Sequence, residues 1–248
     1  MEPLTGSTGK VDAAGEPAKP WVSVIIPALN EEETIGNVVH AVLAESVDEA
    51  IVVDNASRDE TAARARSAGA RVVAAPRRGY GRACRAGVAA VAPGCAIVAF
   101  LDGDGSDCPE MLARLIEPIA LGQADFVIGS RIRGRREPGS MTAQQIVAGR
   151  LAGWLLSALY GVHYTDMGPF RAIRRVALNQ LDMRETTYGW NLEMQMRAAR
   201  AGLRILEIPV DHRLRRGGRS KVSGTVAGTL RAASRLLLTF LRLAIALR

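Results

Sequence analysis

Aromatic residues make up only 4% of the 248-residue chain, and cysteine occurs three times. Cys84, Cys95 and Cys108 form no CxxC pair and are too few for a disulfide framework, so reduced thiols in a cytosolic protein are the simplest expectation. No apolar run reaches the roughly 20 residues that cross a bilayer. The two longest candidates, IVAGRLAGWLLSALYG (146–161) and LLLTFLRLAIAL (236–247), are interrupted by Arg150 and Arg242. No GxGxxG follows the first apolar run and no GxxxxGK[ST] occurs anywhere, which argues against a dinucleotide-binding or P-loop enzyme. Nucleic acid is not an expected partner either. The net charge of +7 suits any phosphate-bearing ligand or an anionic membrane face, and no nucleic-acid motif accompanies it.

What is present is an ordinary globular balance, 48% hydrophobic and 23% charged. Residues 1–20, rich in Gly, Pro, Ala and Thr without apolar periodicity, read as a disordered lead-in that lacks the pattern of a signal peptide. Short β-branched runs then alternate with helical patterns. Strands are expected at 22–27, 50–55, 71–75, 96–102 and 125–130, and helices at 31–45, 58–68, 79–92 and 109–121. Most of the strands are almost continuously apolar, as strands covered on both faces should be. The order predicts an α/β fold with a mostly parallel central sheet and helices on both faces.

The second half is more irregular. RIRGRREPGS (131–140) reads as a loop, followed by a helix over 142–161, a loop and strand over 165–175, and a helix over 189–201. A strand over 203–214 is broken by Pro209, and RRGGRSKVSG (215–224) is a basic, Gly-rich loop. The last helix, about 225–247, places Arg231, Arg235 and Arg242 on one face. Two placements suit it: packing on the domain as an amphipathic helix, or lying in an anionic membrane interface.

The polar residues behind the strands carry the functional signal, because open α/β sheets bind ligands beyond the carboxyl ends of their strands. These are Asn30 and Glu31, Asp54 and Asn55, Asp102 and Asp104, and Arg131. In FLDGDGSDCPE, Asp102 and Asp104 sit two apart at the end of an apolar run, so both carboxylates point to one side and suit Mg2+ or Mn2+. Asp107 or Ser106 reads more simply as the cap of the helix near Pro109. Asn30 has a simple reading of the same kind, as the cap of an acidic first turn, and Asp54 as a turn aspartate. His163 and His212 lack metal-ligand spacing and read as structural or surface residues.

VSVIIPALNEEETI, VVDNASRDET, FLDGDGSDCPE and ADFVIGSRIRG, in that order, resemble inverting family 2 glycosyltransferases of the GT-A fold. TDMGPFRAIRR, YGWNLEMQMRAARAGLRILEIPV and RRGGRSKVSG narrow the resemblance to dolichol-phosphate mannose synthase-like enzymes, over about residues 21–224. The resemblance implies a nucleotide pocket lined by Pro27, Ala28, Asn30 and Glu31, with Asp54 at the nucleoside. It implies a metal on Asp102 and Asp104, and acceptor-phosphate positions at Arg131, Arg215 and Lys221, with Asp166 and Glu193 at characteristic acidic positions. The implied partners are a UDP- or GDP-sugar donor and a polyprenyl-phosphate acceptor at the inner face of the membrane, with the last helix as the peripheral membrane contact. Ser106 stands where the family often has Gln, Arg219 where Glu usually precedes Ser-Lys, and Met167-Gly168-Pro169 replaces [ST]-G before Phe170. These departures bear on substrate identity. A hydroxyl acceptor on a saccharide or metabolite is the alternative, and a binding module without activity is a third reading.

Overall fold

The computed structural model describes residues 19–217 together with 240 and 242. The lead-in apart from residues 19 and 20, Lys221, and the last helix apart from Phe240 and Arg242 therefore lie outside the described residues. Among the described residues seven strands form one sheet: β1 (Val22–Ala28), β2 (Glu49–Asp54), β3 (Arg71–Ala74), β4 (Ile97–Phe100), β5 (Phe126–Ser130), β6 (Arg171–Arg174) and β7 (Ile205–Pro209). Their order is β3-β2-β1-β4-β6-β5-β7. All neighbours run parallel except β6, which is antiparallel to both β4 and β5. That one reversal matters for the site. A parallel strand delivers its C-terminal end to the ligand edge, whereas β6 delivers its N-terminal end, and with it the segment that carries Asp166.

Among the described residues, seven complete helices cover the two faces: α1 (Ile35–Ala44), α2 (Thr61–Ser67), α3 (Tyr80–Ala90), α4 (Leu112–Ala120), α5 (Ala143–Tyr160), α6 (Arg175–Gln180) and α7 (Trp190–Arg200). Successive strand side chains point to opposite faces. Ile25, Ile51, Val53, Phe100 and Phe126 pack with Cys84, Leu156, Trp190 and Met194 on one face. Val24, Ile26, Val52, Ala99 and Val127 pack with Val39, Val42, Leu112 and Leu115 on the other. Both faces are dry, which is why these strands read as unbroken apolar runs. The three cysteines are buried and free.

Several boundaries differ from the sequence reading, each for a local reason. The first helix begins at Ile35 rather than 31, because Asn30 takes a left-handed conformation (φ 52°) and residues 32–34 form a turn. Asn30 therefore does not cap α1. A single 3-10 turn, Pro109–Met111, precedes α4 and has no side-chain cap, so Asp107 and Ser106 are not helix caps. The helix α6 has no counterpart in the sequence reading, since six residues are too few to show a period. The strand expected over 203–214 stops at Pro209, beyond which His212 makes only isolated bridges to Asp107 and Arg136.

Two glycines give opposite expectations for substitution. At Gly36 in α1 an added methyl meets open space, so Gly36→Ala should stabilise by about 0.5–1 kcal/mol through helix propensity. At Gly81 in α3 the same methyl would lie 2.3 Å from the Glu185 carbonyl, so Gly81→Ala should destabilise by about 1–3 kcal/mol. Urea denaturation of both variants checks the pair.

Candidate active site

The loops behind β1 and β2 are tied to one another. The Asn30 N–H donates to Ser57 Oγ (3.0 Å) and Asn30 Oδ1 accepts from the Arg58 N–H (2.9 Å). The Glu31 N–H donates to Thr61 Oγ1 (2.8 Å). Asp54 is occupied locally, accepting the Ser57 N–H (3.0 Å), while the next residue turns inward. The buried Asn55 side chain donates to the Ala75 and Arg77 carbonyls and accepts the Gly79 N–H (2.7 Å). It thereby fixes the loop between β3 and α3.

The DGDGSD turn follows β4. Gly103 leaves room for close packing, since a methyl there would lie 3.2 Å from Ile35 Cδ1. Its carbonyl accepts from Thr34 Oγ1 (2.8 Å), and Gly105 adopts the left-handed conformation (φ 75°) that lets the chain reverse. The three carboxylates are treated differently. Asp107 Oδ2 accepts the Asp102 N–H (2.9 Å) and closes the turn. Asp104 Oδ1 accepts from the N–H and Oγ of Ser106 (2.9 and 2.6 Å), and its Oδ2 lies 2.8 Å from Arg215 Nη2. The other Arg215 nitrogen, Nη1, contacts both oxygens of Glu31 (3.0 and 3.1 Å). The carboxylate of Asp102 has no hydrogen bond or ion pair among the described residues. Burial, then the charges of Asp104 and Asp107, push it well above the usual carboxylate range. Behind the turn, Asp107 Oδ1 and His212 Nδ1 face each other at 3.8 Å, both buried and without a hydrogen-bond partner.

The segment 213–216 lies against this turn, with the Arg213 N–H donating to the Ser106 carbonyl (2.9 Å) and the Arg216 N–H to that of Asp104 (3.2 Å). Arg131, directly behind β5, forms a two-pronged pair with Asp166: Nε to Oδ2 at 2.7 Å and Nη2 to Oδ1 at 2.9 Å, with the Arg131 N–H also on Oδ2. Burial disfavours both charges, yet each holds the other ionised. Asp166 sits below the usual carboxylate range and Arg131 above the usual guanidinium range. Glu193, by contrast, is buried in α7 and accepts the N–H groups of Arg184 and Glu185 together with Arg197 Nε. It organises a loop rather than facing the cleft.

A cleft of about 370 Å3 opens beyond these strand ends. Pro27, Ala28, Glu31, Asp102, Asp104 and Arg215 line it, as the sequence suggests. Asn30, Asp54, Arg131, Asp166 and Glu193 do not line it. Sequence reasoning missed Arg78, Gly79, Tyr80 and Ala83 from the start of α3, and Thr187 and Tyr188 from the loop before α7. The signal for the first group was visible in PRRGYGRACRAG, where basic residues and spaced glycines precede a helix. Arg171 was also missed. This fully buried cation donates to the Gly168 and Asn191 carbonyls and lies over the Phe126 ring, and burial lowers its pKa to about 10.

The site fits a hard divalent cation. Among the described residues no three His, Cys, Asp or Glu side chains gather to hold a metal on their own. Two carboxylates completed by substrate phosphates and water are the usual magnesium arrangement, and Asp102, crowded by Asp104 and Asp107, is a carboxylate without a partner among the described residues. Residues 23–182 match the family described as Glycosyl transferase family 2. The chain belongs to that family. Among relatives of this glycosyltransferase, an uncharacterized glycosyltransferase of Mycobacterium tuberculosis is 40% identical over 84% of this chain and 93% of its own length. The undecaprenyl-phosphate mannosyltransferase of Micrococcus luteus is 35% identical over 84% of this chain and 89% of its own. A crystal structure of glucosyl-3-phosphoglycerate synthase from Mycobacterium tuberculosis, in complex with Mn2+, uridine diphosphate and glucosyl-3-phosphoglycerate, matches with a TM-score of 0.71 at 26% identity. That match covers 91% of this chain and 80% of the other. The glycosyltransferase therefore has the GT-A fold expected from its motifs.

The Arg131–Asp166 pair yields a pH expectation. A depressed Asp166 pKa stabilises the fold above the unfolded carboxylate pKa of about 3.9, and that stability is lost as pH falls through the lower folded value. Asp166→Asn should cost about 3–5 kcal/mol at pH 7 by leaving Arg131 buried and unpaired. The gap to the unsubstituted protein should narrow below about pH 4, as denaturant midpoints across the pH range would reveal.

Proposed function

We propose that this glycosyltransferase moves a sugar, with inversion, from a UDP- or GDP-sugar to a polyprenyl phosphate. The observation that carries the reading is the cleft between the strand ends. An unpartnered Asp102, an Asp104 held by Ser106, and Arg215 all line one space large enough for part of a nucleotide sugar. Pro27, Ala28 and the Asn55-braced Gly79 loop form its wall on the nucleotide side, while Asn30 and Asp54 shape that wall from behind. The solved relative with Mn2+ and uridine diphosphate supports the donor class, and the Micrococcus luteus relative, by its name, the acceptor class.

In the reaction an oxygen of the acceptor phosphate attacks the anomeric carbon as the bond from that carbon to the donor diphosphate breaks. The electron pair leaves with the nucleoside diphosphate. Asp102 and Asp104 would hold a divalent cation, Mg2+ or Mn2+, which when bound would neutralise the charge that grows on the diphosphate. Arg131, fixed in direction by Asp166, keeps Nη1 without a hydrogen-bond partner among the described residues and presents it to the acceptor phosphate. Relieved of Asp104, the Arg215 guanidinium, which lines the cleft, supplies a second positive charge.

A specific observation weighs against a hydroxyl acceptor. A sugar hydroxyl needs a general base, and the two acidic candidates are already committed. Asp166 is ion-paired and held ionised, and Glu193 accepts three N–H donors away from the cleft. A phosphate oxygen is anionic near pH 7 and needs no proton removed. Among the described residues no helix is long and apolar enough to cross a membrane. The helix expected at 225–247 as the peripheral membrane contact lies outside the described residues except at two positions. Phe240 is buried in the core and Arg242 Nη2 lies 2.6 Å from Glu185 Oε2.

Asp104→Asn should lower sugar transfer about 10²–10³-fold and abolish the metal-dependent rise in melting temperature given by the matching nucleotide sugar. Radiolabelled sugar should appear in an organic-extractable, acid-labile lipid. Label confined to water-soluble products would refute the lipid acceptor.

A further inference from the structure

The glycines of PRRGYGRACRAG, set among arginines at the start of α3, have the look of a phosphate cradle. In the fold they serve a neighbouring loop. A methyl on Gly79 would lie 2.3 Å from the Thr186 carbonyl oxygen, and one on Gly81 would lie 2.3 Å from that of Glu185. The first N–H groups of a helix have no partner within it. Here the Gly81 N–H donates to the Thr187 carbonyl (3.1 Å) and the Arg82 N–H to that of Thr186 (3.2 Å). The loop before α7 therefore caps α3. Through Arg78, Gly79, Tyr80, Thr187 and Tyr188 the two together make one wall of the cleft.

The shape of that loop depends on Glu185, a buried carboxylate. Its Oε1 accepts from the N–H groups of Thr186 and Thr187 and from Thr187 Oγ1, each at 2.9 Å. Its Oε2 accepts from Arg242 Nη2 at 2.6 Å, and Arg242 stands 57 positions further along the chain. Burial opposes the charge, yet the Thr187 and Thr186 donors and the Arg242 guanidinium hold the carboxyl below its ordinary range. With both oxygens engaged, the carboxylate plane is fixed and Oε1 stays turned to the loop. Without Arg242, Oε2 is a buried charged acceptor with no partner among the described residues, and an atom in that position turns toward water. Turning Oε2 outward takes Oε1 off its three loop donors. Phe240, two residues before Arg242, is buried in the core cluster that also holds Cys84 of α3 and Trp190 of α7. The backbone from which Arg242 reaches is thus anchored on the same core as the wall.

We infer that Arg242 is a positioning residue for the donor side of the cleft. By holding the Glu185 carboxylate it sets residues 185–188 against the start of α3 and keeps that wall in shape for a nucleoside diphosphate. The inference deepens the function proposed above and rests on its donor class. The Arg242 side chain is 66% exposed, and exposed ion pairs contribute little to folding as a whole. Its effect is local, on the loop and on the ligand that the loop meets.

The full-length Arg242→Met variant keeps much of the aliphatic stem and removes the charge. Its melting temperature should stay within a few degrees of the unsubstituted protein. Amide hydrogen exchange in peptides spanning 79–83 and 184–188 should accelerate about tenfold. The Kd for UDP or GDP with Mn2+, read by calorimetry, should rise about tenfold. Arg242→Lys restores a positive charge and should recover most of both. In a Glu185→Gln background Arg242→Met should add nothing further, since the two act through one contact. Unchanged exchange overturns the inference, as does faster exchange with unchanged nucleotide affinity. So does a large fall in melting temperature with faster exchange throughout the chain, which makes the pair structural only. If neither nucleotide binds the unsubstituted protein, the donor class proposed above fails, and exchange in the two segments alone decides whether Arg242 holds the wall.

Discussion

Carboxylates crowded at the end of a buried strand repel one another, by about 4 kcal/mol for a pair at ~4 Å in an effective dielectric near 20. Asp102, Asp104, Asp107 and Glu31 impose that problem on this fold, and much of the site is the answer to it. Asp107 is quieted by a backbone N–H and set behind the turn. Asp104 shares one oxygen with Ser106 and the other with Arg215, which also reaches Glu31. Asp102 alone is left uncompensated, at the lip of the cleft. The segment that brings Arg215 is pinned to the turn by backbone hydrogen bonds, so the counter-charge is built in by main-chain geometry.

The two arginines assigned to phosphates are held in different ways. Arg131 is locked by a two-pronged pair with a buried carboxylate, which fixes its direction and leaves one nitrogen over. Arg215 is divided between two carboxylates, one of which also belongs to the candidate cation site. The first arrangement suits a constant orientation and the second an exchange of partners. Ser106 fits the same logic: its hydroxyl is spent on aiming Asp104.

Most of the sheet was legible in the sequence because β1, β2, β4 and β5 are buried on both faces and left apolar runs between recognisable helices. The cleft was legible in part because strand-end polar residues of a parallel sheet converge. Legibility failed where the third dimension assigns the role. Asp54 and Asn55 are adjacent, and only the backbone direction makes the first a turn residue and the second a cleft wall. Asn30 and Asp107 look like helix caps in one dimension, yet one bridges two loops and the other closes a turn. Glu193 falls on a familiar acidic position, but the loop it holds is nine residues away in sequence. No periodicity could have announced α6, with only six residues, or the Tyr164–Asp166 bed that α5 occupies through two glycines.

The antiparallel insertion of β6 has a metric consequence. Were β4 and β5 neighbours, the carboxylates behind one and the arginine behind the other would stand a single strand spacing apart. With β6 between them the separation is two spacings, roughly 10 Å. That interval separates the candidate cation site from the Arg131–Asp166 pair. It is set by the hydrogen-bonding pitch of the sheet, a length that no side-chain substitution can alter.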